Sequence, residues 1–183
     1  MLNKKLNISD YISILSNSVK EELVQFHIDK HSKVLFIGSG AFPLSALTIA
    51  KEAGADVLCL DVDVEAVDLG RKVVEKSGLG SKVQFSSTSV KGLSIVNEMT
   101  HVLIASLVSN KLEIVNDLEN RINDNASMII RYGNGLKSIF NCPLQEDLSA
   151  EWNETRINRS KSIYDTVILQ PKTTRTIEVK QLN

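Results

Sequence analysis

The chain has 183 residues, the size of one ordinary domain. Its 21 Lys+Arg against 22 Asp+Glu leave a net charge of −1, which lacks the basic footprint of a general nucleic-acid binder. A hydrophobic content of 43% can build a core, and no apolar run approaches the roughly 20 residues of a membrane helix. Two cysteines, Cys59 and Cys142, make neither a disulfide framework nor a four-ligand zinc site. The start, MLNKKLNISD, carries no continuous apolar stretch and does not read as a secretory signal, so a cytoplasmic location is the expectation.

In chain order, Ile8, Ile12, Leu15, Val19, Leu23 and Phe26 recur at spacings of three and four and predict a helical cap over residues 1–31. Asn17-Ser18 is expected to break it in two, since both residues favour helix ends. Strands and helices then alternate. Val34 to Ile37 is a buried strand running into Gly38, and Pro43 to Ala50 a helix closed by Gly54. Val57 to Leu60 is a second strand ending at Asp61, followed by a helix closed by Gly78. Lys82 to Phe85 and His101 to Ala105 give two more strands. Leu112, Val115, Leu118 and Ile122 mark an amphipathic helix, and Ser127 to Tyr132 a fifth strand. Residues 152–159 and 164–170 read as strands with no helix between them, which makes them antiparallel. The expected domain covers 32–171, with a polar tail over 172–183.

The stretch that carries chemistry is KVLFIGSGAFPLSALTIAKEAGADVLCLDVD, residues 33 to 63. A buried strand enters Gly38-Ser39-Gly40, a helix follows, and a second strand ends in an acid 23 residues after Gly38. The glycines let the backbone approach a nucleoside ligand, and the acid accepts hydrogen bonds from its ribose. Asp61 takes that role, with Asp63 the alternative and Val62 between them. A dinucleotide site wants a third glycine where Pro43 stands, which disfavours a nicotinamide dehydrogenase. S-adenosylmethionine (SAM) has a ribose and an adenine but no phosphate, and it needs only the glycine turn and the acid.

With these residues in place, the sequence resembles the class I SAM-dependent methyltransferase superfamily. Within it, GSGAFPLSAL followed by LDVDVEAVDLGRKV, and then HVLIASLVSNKLEIVNDLENRINDNASMIIRYGNGLKSIF, is similar to the nicotianamine synthase family. The resemblance implies a Rossmann-like α/β fold with a mostly parallel seven-stranded sheet and a C-terminal antiparallel hairpin. It implies SAM as the co-substrate and transfer of its 3-amino-3-carboxypropyl group to a small amine or amino acid. The family is longer, with an N-terminal helical region that helps hold the acceptor, so a homodimer or a partner subunit completing that site is a further expectation. The third strand of SAM enzymes often ends in an acid near the adenine; here Thr88 and Ser89 stand there.

Ala105, Ser106 and Leu107, after the fourth strand, are expected at the pocket floor. Tyr132, at the end of the fifth, is a candidate for orienting the acceptor amine or moving its proton; the alternative is a rim tyrosine packed on its neighbours. Glu22 on the N-terminal helix is a candidate acceptor-binding carboxylate, against the alternative of a solvated surface glutamate. His27, His31 and His101 show no metal-ligand spacing, and no metal is expected. Arg156, Arg159 and Lys161 form a basic cluster read as a solvated turn or a contact to an anionic substrate. Two further readings stand beside the leading one: a small-molecule methyltransferase, and a SAM-binding module that needs a partner chain for activity.

Overall fold

The computed structural model describes residues 8–139, 141–144, 152–158 and 162–172. Residues 1–7 of the expected cap, the Ile8 side chain, Arg159, Lys161 and the tail from Thr173 onward lie outside the described residues.

Seven strands form one sheet in the order β3-β2-β1-β4-β5-β7-β6. They are β1 (Lys33–Ile37), β2 (Asp56–Leu60), β3 (Val83–Ser86), β4 (His101–Ile104), β5 (Ser127–Tyr132), β6 (Trp152–Ile157) and β7 (Asp165–Pro171). β1 to β5 pair in parallel, while β7 runs antiparallel to both β5 and β6. The expected Rossmann-like sheet with its terminal hairpin is what the chain forms. Among the described residues four α-helices accompany it: α1 (Ile8–Gln25), α2 (Leu44–Ala53), α3 (Val64–Ser77) and α4 (Lys111–Glu119). Between β3 and β4 two short 3-10 turns, Val90–Gly92 and Ser94–Glu98, replace a helix.

Both sheet faces are covered, which is why the central strands read as unbroken apolar runs. Val34, Phe36, Val57, Cys59, Leu103 and Ile129 face α1 and α2, meeting Val19, Leu23, Phe26, Ala46 and Ile49. Leu35, Ile37, Val102, Ile104, Met128 and Ile130 face the other way, against Val115, Leu118 and Ile122. Pro43 immediately precedes α2, where its missing N–H costs nothing, and α2 and α3 end at Gly54 and Gly78.

The expected break at Asn17-Ser18 is absent: α1 is one continuous helix. Ser18 is buried, and its hydroxyl donates to the Ser162 hydroxyl at 3.1 Å. Docking Val19, Leu23 and Phe26 on the sheet outweighs a weak local preference. No helix among the described residues is long and apolar enough to cross a membrane.

From β1 the chain builds outward in one direction to β2 and β3, then resumes on β1's other side with β4. That reversal opens a crevice beyond the C-terminal ends of β1 and β4, where doubly wound sheets bind ligands.

Candidate active site

The crevice begins with the turn after β1. Gly38 and Gly40 hold φ of 78° and 67°, conformations that side-chain-bearing residues rarely adopt. A Cβ on Gly38 would lie 2.5 Å from Val108 Cγ2, so glycine is also required for space. The Gly38 N–H donates to the Leu60 carbonyl at 2.8 Å, tipping the turn over the end of β2.

Asp61 organises two loops at once. Its Oδ2 accepts from the Gly40 N–H at 2.8 Å and its Oδ1 from the Asp63 N–H at 3.1 Å. A carboxylate offers about four acceptor sites, so two remain for a ligand. Asp63, the alternative, is the N-cap of α3: its Oδ1 accepts from the Glu65 and Ala66 N–H groups at 2.9 and 3.3 Å. The geometry therefore separates the two acids, one at the crevice and one on its own helix.

Above the turn lies a cavity of about 480 Å³. Gly38, Gly40, Asp61, Val62, Thr88, Ser89 and Leu107 line it, drawn from separate stretches of the chain that the fold gathers at one strand edge. Ser39, Asp63, Ala105, Ser106, Tyr132 and Glu22 are not on its wall. Ser39 is buried beneath the turn. Ala105 and Ser106 lie behind the wall: the Ala105 N–H donates to the Ile37 carbonyl at 2.9 Å, and the Ser106 carbonyl accepts from the Cys142 N–H at 3.0 Å.

Tyr132 is 4% exposed and packed in the core on the α4 side of the sheet, where burial raises its phenol above the ordinary value. Glu22 is not a solvated helix residue. It is 1% exposed and ion-paired with Arg131, whose Nη2 donates to Glu22 Oε2 at 2.6 Å. The Arg131 Nη1 donates to Ser45 Oγ at 2.8 Å, and its guanidinium lies 4.7 Å from the Tyr164 ring centre and 5.7 Å from that of Phe36. This cluster joins α1, the first turn of α2 and β5.

Sequence reasoning missed the opposite wall. Asn110, which precedes α4, and Glu113, Ile114 and Asp117 on one face of it line the cavity together with Val90 and Lys91. Glu113 accepts from Lys91 Nζ at 3.1 Å, a bond that holds its carboxyl below the usual range. Arg121 donates to Asp117 at 2.6 Å and to the Val90 and Leu93 carbonyls at 3.1 and 2.6 Å, tying the 3-10 turn to α4. The signal was present as a polar stripe beside the Leu112, Val115 and Leu118 stripe, but a polar stripe on a surface helix reads as solvated.

Residues 9–177 match the model of the nicotianamine synthase protein family. The chain belongs to the nicotianamine synthase family. Among curated relatives, an L-histidine 2-aminobutanoyltransferase of Pseudomonas aeruginosa is 36% identical over 170 residues, 93% of this chain and 65% of the relative. Its namesake from Yersinia pestis is 35% identical, over 88% of this chain and 61% of the relative. The chain thus spans less than two thirds of these family members' length. In fold it is similar to a mutant of MtNAS solved in complex with SAM, with a TM-score of 0.78, 20% identity, and coverage of 89% of this chain and 64% of that one.

Proposed function

We propose that this chain is the SAM-binding part of a transferase that moves the 3-amino-3-carboxypropyl group of SAM to the amine of an amino acid, with L-histidine the first acceptor to test. The observation that carries this reading is the 36% identity, over 93% of the chain, to an enzyme named L-histidine 2-aminobutanoyltransferase.

The residues at the cavity fit the co-substrate. Asp61 has lone pairs left for ribose hydroxyls after holding Gly40 and Asp63. Val90 and Ile114 give the far end apolar contact for a base, and Thr88, Ser89 and Asn110 give it polar groups for the base edge. The carboxylates of Asp61, Glu113 and Asp117 outnumber Lys91 on the wall, which suits a ligand carrying a sulfonium charge.

SAM supplies a good leaving group: the acceptor nitrogen's lone pair forms the new C–N bond as the Cγ–S bond breaks, methylthioadenosine leaves and the nitrogen gives up a proton. The protein's own part is to position and enclose. The Gly38–Gly40 turn admits close backbone approach, Asp61 fixes its height above β2, and Leu107 and Val108 close the side toward β4. Tyr132 and Glu22 enter this reading as supports behind the site rather than as groups that touch substrate.

The test is product analysis after incubating the chain with SAM and L-histidine. Methylthioadenosine with an aminocarboxypropyl-histidine adduct is the expected outcome, and S-adenosylhomocysteine would overturn it in favour of methyl transfer.

A further inference from the structure

One buried charge has no role in the site as described. Lys111, the first residue of α4, is 2% exposed, and no carboxylate pairs with it among the described residues. Burial pushes its ammonium below the ordinary lysine range, so the fold holds the charge there against its preference. A methionine would fill the same core space without that penalty.

The ammonium's partners show what it does. Lys111 Nζ donates to the Ser106 carbonyl at 3.0 Å and to the Val108 carbonyl. Cys142 serves the same stretch: its N–H donates to the Ser106 carbonyl at 3.0 Å and its thiol to the Leu107 carbonyl at 3.3 Å. Three successive carbonyls of the segment after β4 are therefore drawn to one side, behind the cavity wall. On the other side, Leu107, Val108 and Ser109 line the cavity. Val108 also fills the space that a Cβ on Gly38 would need, so the position of its backbone decides how the wall meets the glycine turn.

Resting on the SAM-binding reading above, we infer that Lys111 is a positioning residue for the co-substrate, an internal staple that sets the wall formed by Leu107, Val108 and Ser109. It touches no ligand and acts through the carbonyls of Ser106 and Val108. Cys142 is the weaker, second fastening of the same segment.

The experiment is calorimetric titration of SAM into the full chain and into Lys111→Met, which keeps the stem and removes the donors. A weakening of about tenfold or more is expected, the effect of misplacing the wall that the ammonium holds. In turnover, KM for SAM rises while kcat at saturating SAM and KM for the acceptor stay in place, a split that loss of general stability would not produce. A folded Lys111→Met protein that binds SAM like the unsubstituted chain overturns the inference and leaves the SAM reading intact. No SAM binding by the unsubstituted chain overturns both. If Lys111→Met does not fold, Cys142→Ala decides: a smaller but measurable loss of SAM affinity upholds the staple, and an unchanged affinity overturns it.

Discussion

Two ion pairs on opposite sides of the sheet work in opposite ways. Under α1, Glu22 and Arg131 are 1% and 4% exposed, and their pair is completed by Ser45, Thr166 and two aromatic rings. Around the cavity, Lys91 and Glu113 are 66% and 60% exposed and meet across the space between a 3-10 turn and α4. Burial removes water as an alternative partner, so the first pair is part of the architecture and breaking it strands a charge. Exposure leaves the second pair competing with water and free to exchange partners with a ligand. Carboxylates of the same chemistry thus hold the fold in one place and line the cavity in the other.

The comparison breaks most readily at Glu22. Glu22→Ala removes the carboxylate that pairs with the buried Arg131 and is expected to cost about 3–5 kcal/mol in a urea unfolding measurement. A cost near that of a surface pair would mean that the cluster is not an internal clamp. Gly38→Ala comes next. It forces a side chain into a left-handed backbone and against Val108, with an expected loss of about 1–3 kcal/mol by the same measurement and a parallel loss of SAM binding.

A smaller effect tests the α1 side by pH. His101 Nε2 lies 2.9 Å from the Phe26 carbonyl, and its Nδ1 2.8 Å from the Thr100 hydroxyl. Burial lowers its pKa below the ordinary value of about 6.5, so between the two values the unfolded chain binds more protons. Stability is therefore fully present above about pH 6.5 and declines as pH falls toward the folded-state value. Denaturant titrations at pH 7.5 and 5.5 should show that decline, and His101→Gln should reduce it. Least of all, Lys91→Met should leave the thermal midpoint where it is, because the pair it breaks is solvated. The sharpening result is a change in the salt dependence of SAM binding without a change in stability.

Much of this was legible in the chain. Continuous apolar runs at 34–37 and 57–60 read as strands buried on both faces, and the glycine turn and Asp61 that the sequence singled out line the cavity. What was not legible depends on partners distant in sequence. Glu22 reads in the sequence as an acceptor-binding or a solvated carboxylate, because Arg131, 109 residues away, is not visible from α1. The continuity of α1 rests on a sheet that local propensity does not register. Nothing in the sequence marks Lys111, because the carbonyls of Ser106 and Val108 reach its ammonium only in the folded chain.

The central claim, that Asp61 both holds the glycine turn and receives the ribose of SAM, is tested most directly by calorimetric titration of SAM into the unsubstituted chain and into Asp61→Ala. The expected result is saturable binding by the first and an affinity about ten- to a hundredfold weaker in the second, the effect of losing a hydrogen bond to a charged group. Equal affinity in the two folded proteins would contradict it.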